Sequence, residues 1–136
     1  MNTFLIPDAS NLTEKRIIIT DDDEDFLDIL ESQLIEADNS FVVLKAKTGY
    51  EALNLIQNMQ IDLLITDIAM PDMDGLELYK RVSELRPNLP VIMMTGFCYD
   101  PKHTIINAKN FGLKDVIFKP FEIEKLLNII YKRLKI

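Results

Sequence analysis

Short apolar runs alternate with amphipathic stretches from Arg16 to the end of the chain. Arg16 to Thr20 (RIIIT) is brief and β-branched, the composition of a strand buried on both faces. Phe26, Leu27, Ile29, Leu30, Leu34 and Ile35 then recur at helical spacing, with Asp22 or Asp23 available as N-cap and further acids favoured by the helix dipole. This helix runs to about Ala37. The Asp38, Asn39, Ser40 cluster predicts a turn, and Phe41 to Ala46 a second strand. Thr48 opens a second helix through Ala52, Leu53, Leu55 and Ile56, and Glu51 three residues later completes a capping-box pattern. Ile61 to Thr66 predicts a third strand that stops at Asp67.

The stretch IAMPDMDG that follows cannot extend this strand, because Pro71 lacks an N–H and Gly75 invites a turn; it predicts a long functional loop. A third helix is expected from Leu76 to about Leu85, ending before Pro87, and a fourth strand from Val91 to Met94, closed by Thr95 and Gly96. Residues 97–111 keep helical spacing in Ile105, Ile106 and Ala108, but Pro101 and Asn110 interrupt it, predicting a short, flexible fourth helix capped by Gly112. Val116 to Phe118 gives a fifth strand, broken by Lys119 and Pro120. Ile123, Leu126, Leu127, Ile130 and Tyr131 give a last amphipathic helix. Strict alternation with short connections and apolar strands predicts an α/β fold, a doubly wound five-stranded parallel sheet with helices on both faces. It would occupy residues 15–136 behind an N-terminal arm, residues 1–14.

Such a sheet gathers the carboxyl ends of its strands along one edge. Asp21 and Asp22, Asp67, Thr95 and Lys119 each sit just past an apolar run, so the pattern brings them together. Carboxylates about 4 Å apart repel by about 4 kcal/mol per pair at an effective dielectric near 20, so three of them need a cation. Lys119 supplies one charge. All-oxygen ligands in an open cleft suit Mg²⁺ or Mn²⁺ for the rest, better than Zn²⁺. A carboxylate beside a hard metal can attack phosphorus, and Asp67, between the others, is the candidate nucleophile. The Lys119 ammonium and Thr95 hydroxyl would then face the charge that spreads over the phosphoryl oxygens.

The 136 residues with 48% hydrophobic content fit one core, and the net charge of −7 argues against a sequence-independent grip on nucleic acid. Cys98 is the single cysteine, which excludes an internal disulfide and fits a reducing compartment. The first residues lack the pattern of a signal peptide and no run approaches the ~20 apolar residues of a membrane span, so a soluble, cytoplasmic chain is expected. Asp72 and Asp74 read as turn residues rather than a calcium loop. His103, the sole histidine, reads as a helix-surface residue, and Met59, Met70, Met73, Met93 and Met94 as packing or loop residues.

The segments TDDDEDF, ITDIAMPDMDG, MTG and FKPF, in this order and spacing, resemble the receiver domain of two-component response regulators over about residues 15 to 135. The resemblance implies a flavodoxin-like (βα)5 fold in which Asp67 accepts a phosphoryl group from the phosphohistidine of a histidine kinase or phosphotransfer protein. Asp21 and Asp22 would form the acid pocket for Mg²⁺ with Asp67 and the backbone carbonyl of Ala69. Thr95 would be the switch hydroxyl and Lys119 the phosphoryl contact. Output would pass through the fourth helix, fifth strand and fifth helix to a downstream protein, a missing output domain or a second copy of the chain. Neither membrane contact, direct nucleic-acid binding nor enzymatic turnover is implied. Family members often carry Tyr or Phe where this chain has Val116, which leaves Phe97 or Phe118 as substitutes in the switch. Two other readings remain open: a receiver-like scaffold that binds partners without phosphorylation, and an aspartyl-phosphate hydrolase. The hydrolase would want a second acid where Ala69 stands.

Overall fold

Consecutive isoleucines of the first strand divide between two cores, as the period of two in a strand requires. Ile17 and Ile19 join Leu27, Leu30, Leu34, Ile65, Leu126 and Ile130 on one side of a sheet. Ile18 joins Ala52, Ile56, Leu64, Leu78 and Val82 on the other. The computed structural model describes residues 14–96 and 109–136. In chain order it comprises β1 (Lys15–Thr20), α1 (Glu24–Ala37), β2 (Phe41–Ala46), α2 (Gly49–Asn58), β3 (Leu63–Asp67), α3 (Gly75–Leu85), β4 (Val91–Thr95), β5 (Asp115–Phe118) and α4 (Ile123–Leu134). The sheet order is β2-β1-β3-β4-β5, with every neighbouring pair parallel. The expected sheet is therefore present, with α1 and α4 on one face and α2 and α3 on the other.

Winding proceeds outward from β1 to β2, then reverses to β3, so the ends of β1 and β3 flank the point where crossovers diverge, the usual ligand crevice of open α/β sheets. Asp21 follows the first of these strands and Asp67 ends the second. The expected third strand is shifted: Asp62 precedes it, and its Oδ2 accepts from the Arg16 N–H at 2.8 Å while its own N–H donates to the Arg16 carbonyl at 2.9 Å. That polar bracket sets where ladder pairing begins, and Asp67 itself completes the strand.

Helix starts follow their caps. Asp23, Thr48 and Asp74 accept from the N–H groups of Phe26, Glu51 and Glu77 at 3.2, 3.1 and 2.8 Å. Asp74 is thus the N-cap of α3 rather than a simple turn residue. The capping box at Thr48 is displaced, since Glu51 Oε1 accepts from the Lys47 N–H at 2.7 Å, one residue before the expected partner. The N-terminal arm lies outside the described residues but for Glu14. So does the expected fourth helix up to residue 108, with Phe97, Cys98 and His103. Lys109 and Asn110 are helical, and Gly112, at φ 106°, donates to the Lys109 carbonyl at 3.0 Å, as the expected cap requires. No described helix is long and apolar enough to cross a membrane.

Candidate functional site

Four strand ends, those of β1, β3, β4 and β5, bring carboxylate, hydroxyl and ammonium groups to one edge of the sheet. Asp21, directly after β1, donates its N–H to the Ala46 carbonyl at 3.1 Å, which fixes its backbone beside the end of β2. Its Oδ1 accepts from the Asp23 N–H at 3.0 Å, so the first turn of α1 orients the carboxylate. Asp22 is exposed beside it. Asp67 is 7% exposed at the end of β3. Carboxylate oxygens of Asp21, Asp22 and Asp67 all lie within 4.8 Å of one another.

Lys119 reaches this group because β5 runs beside β4: the Lys119 N–H donates to the Thr95 carbonyl at 2.7 Å, and Pro120 follows through a cis peptide. Its Nζ lies 2.5 Å from Asp21 Oδ2 and 3.1 Å from Asp67 Oδ1. Burial pushes the Asp67 carboxyl above the ordinary carboxylate range. The Lys119 charge opposes that shift, and the negative charges of Asp21 and Asp22 add to it. Burial also works against the Lys119 ammonium, but its hydrogen bond to Asp21 and the charges of Asp67 and Asp21 prevail and hold its pKa above the ordinary lysine value.

Thr95 ends β4 at 1% exposure, and its Oγ1 is buried without a hydrogen-bond partner among the described residues. A buried hydroxyl costs free energy unless something accepts from it, so this atom has unused capacity toward an incoming group. Thr20 Oγ1 is in the same condition at the end of β1. Ala69 is exposed on the loop after β3.

That loop is fastened rather than loose. The Ile68 N–H donates to the Met94 carbonyl at 3.0 Å and the Gly75 N–H to the Ile68 carbonyl at 2.8 Å. Met70 and Met73 are buried, while Pro71 and Asp72 stay exposed, Asp72 at φ 67°. Gly75 allows the closing contact: a Cβ there would stand 2.4 Å from the Asp67 carbonyl oxygen.

The donor set fits a small hard cation. It is all oxygen, two of its members are buried, and Asp22 opens to solvent where water can complete a shell. Three acids beside a single ammonium leave negative charge for a divalent ion to balance. A carboxylate placed beside such an ion and an ammonium has the surroundings that nucleophilic attack on phosphorus would require.

Asp21, Asp22, Asp67 and Lys119 therefore converge as the sequence implied, and Thr95 ends the neighbouring strand with its carbonyl bonded to the Lys119 N–H. Two aromatic neighbours were not legible as site residues: Phe26, whose ring centroid lies 4.3 Å from Lys119 Nζ, and Phe121, packed edge-on against it at 6.3 Å. Phe26 falls in the apolar period of α1, and only its place in the first turn hinted at the crevice. Val116 is half-buried against the α2–α3 core, and Phe118 is 51% exposed.

The Response regulator receiver domain family matches residues 17–131. Over 122 residues the chain is 35% identical to the response regulator receiver protein CpdR of Brucella abortus, covering 88% of this chain and 97% of that one. It is 37% identical over 116 residues to the two-component response regulator ARR2 of Arabidopsis thaliana, covering 84% of this chain but only 17% of the relative. The chain thus spans nearly all of one relative and a small part of the other. Among solved structures, a CheY-like response regulator receiver domain protein from Methanospirillum hungatei superposes with a TM-score of 0.77 at 36% identity, covering 90% of this chain and 94% of that one.

Proposed function

The chain belongs to the response regulator receiver domain family, and from that premise we propose that it takes a phosphoryl group from a phosphohistidine onto Asp67 and signals by the conformational change that follows. The observation that carries this reading is the placement of Asp67: buried at the end of β3, bonded to Lys119, and within 4.8 Å of the Asp21 and Asp22 carboxylates.

In the transfer, an Asp67 carboxylate oxygen attacks phosphorus, a P–O bond forms, and the P–N bond of the donor breaks with its electron pair leaving on imidazole. Lys119 moves its ammonium from the carboxylates toward the phosphoryl oxygens, where negative charge accumulates. The Thr95 hydroxyl, without a partner among the described residues, donates to one of those oxygens. Asp21, Asp22, Asp67 and the Ala69 carbonyl would hold Mg²⁺, or Mn²⁺ in its place. Bound there, the ion supplies charge neutralisation for the phosphoryl oxygens. Hydrolysis of the acyl phosphate by water returns Asp67, so the chain is a self-limiting switch rather than a turnover enzyme.

The donor is a histidine kinase or phosphotransfer protein in the cytoplasm. The output is contact with a protein or a linked domain through β5 and α4, with Phe118 of β5 exposed. Val116 leaves no aromatic at its own position to report the state of Thr95, so the report passes through other residues of that face.

Beryllofluoride, a phosphoryl mimic, tests the reading. With saturating Mg²⁺ it should shift the backbone NMR signals of Asp67, Thr95 and Lys119, and Asp67→Asn should abolish the response. No perturbation of the wild-type chain would favour a scaffold without phosphorylation, and sustained turnover of phosphomonoesters would favour a hydrolase.

A further inference from the structure

The Lys119 ammonium has a third neighbour besides its two carboxylates. Its Nζ lies 4.3 Å from the centroid of the Phe26 ring, within the distance at which a cation is drawn to an aromatic face. The ring packs against an aromatic neighbour, and the backbone that carries it is anchored. Phe121, two residues past Lys119, packs against it at 6.3 Å and 87°, an edge-to-face arrangement. The Phe26 N–H donates to Asp23 Oδ1 at 3.2 Å, and the Asp23 N–H donates to Asp21 Oδ1 at 3.0 Å, so short contacts fix the Phe26 backbone relative to the carboxylate that Lys119 also binds.

We propose that Phe26 is a positioning residue for Lys119: its ring face holds the ammonium at the mouth of the crevice, within reach of groups arriving at Asp67. This rests on the phosphoacceptor reading of Asp67 and extends it to a residue that touches neither the carboxylates nor the phosphoryl group. A lysine side chain has four freely rotating carbons and three donors. Asp21 and Asp67 engage the ammonium, and the ring covers a further side that would otherwise turn toward water. When Lys119 leaves the carboxylates for phosphoryl oxygens, those contacts weaken while the aromatic one can persist. A leucine at this position would fill similar space without presenting a π-face.

Two measurements on the full chain test this. In metal-free protein, the Lys119 ε-methylene protons should show an upfield ring-current shift that Phe26→Leu removes and Phe26→Tyr retains. In Mg²⁺ with acetyl phosphate, Phe26→Leu should slow labelling roughly three- to ten-fold, the rate equivalent of a partly desolvated cation–π contact, while Phe26→Tyr stays near wild type. On a Lys119→Met background, Phe26→Leu should have no further effect, since the ring acts through the ammonium. Loss of the ring-current shift with an unchanged labelling rate would overturn the proposal, and so would equal slowing with and without Lys119. A wild-type chain that takes up no label at all overturns instead the phosphoacceptor reading on which the proposal stands, even where the ring-current shift is present.

Discussion

Lys119 Nζ donates to Asp21 Oδ2 at 2.5 Å, a bond that spans 98 residues of sequence and ties the end of β5 to the end of β1. The same ammonium reaches Asp67, so one lysine balances two buried carboxylates that would otherwise repel. Lys119→Met should destabilise the metal-free chain by about 1–3 kcal/mol, since removing one partner leaves charge buried without compensation. Mg²⁺ should restore more stability to this variant than to wild type, because a competing cation is gone. Phosphorylation should nonetheless fall roughly 10²- to 10³-fold, the scale for loss of one transition-state charge contact. Thermal melts with and without Mg²⁺, beside labelling rates, separate the two effects.

The Asp67 carboxyl is held above its ordinary pKa chiefly by burial. A raised acid pKa means the folded chain binds this proton more tightly than the unfolded chain. The penalty is therefore fully present above the folded pKa and disappears as pH falls to the unfolded value. Asp67→Asn should raise the melting temperature of metal-free protein at neutral pH by a few degrees, and the gain should shrink on acidification. Mg²⁺ affinity of the wild type should begin to fall at a pH above the usual carboxylate range, because the ion requires the deprotonated form. Melts and Mg²⁺ titrations across pH check both directions.

Gly75 is required by proximity. A Cβ there would stand 2.4 Å from the Asp67 carbonyl oxygen and 2.9 Å from the Ile68 Cα, backbone atoms that cannot swing aside. Gly75→Ala should cost about 1–3 kcal/mol by overpacking and should slow labelling by displacing Asp67. Gly96→Ala, where nothing among the described residues lies within 4 Å, is the matched control and should change stability little. Denaturant unfolding of the two variants makes the comparison.

Asp38 ties the α1–β2 turn to the last helix. It accepts from the Ser40 hydroxyl at 2.6 Å, the Ser40 N–H at 2.9 Å and the Tyr131 hydroxyl at 3.1 Å. The Ser40 bonds come first in lowering its pKa, burial opposes them, and Tyr131 adds to the lowering. The stabilisation is present above the unfolded pKa, near 3.8, and is lost as pH falls through the lower folded value. Tyr131→Phe should cost about 0.5 kcal/mol at pH 7, the low end for one hydrogen bond because the pair is partly solvated. Urea unfolding at neutral and strongly acidic pH should show the difference narrowing.

Much of this arrangement was legible in the order of residues. The period-two and period-3.6 patterns located every described strand and helix, because burial on two faces leaves little freedom in where Ile17, Ile18 and Ile19 can point. Strand ends then implied the meeting of Asp21, Asp67, Thr95 and Lys119, since a parallel sheet has one carboxyl edge. Boundaries were less legible: whether Asp62 brackets a strand or Asp74 caps a helix depends on which backbone group lies opposite. Phe26 was hidden for a related reason. Its contact with Lys119 joins residues 93 positions apart, and nothing in the helical period marks a ring that faces a cation as well as the core.

The central claim is that Asp67 accepts the phosphoryl group. Intact-mass analysis of the chain after incubation with Mg²⁺ and acetyl phosphate tests it most directly. The account predicts a gain of one phosphoryl group that requires the divalent ion and is absent in Asp67→Asn. An adduct that persists in Asp67→Asn, or a wild-type mass unchanged at saturating Mg²⁺ and donor, would contradict it.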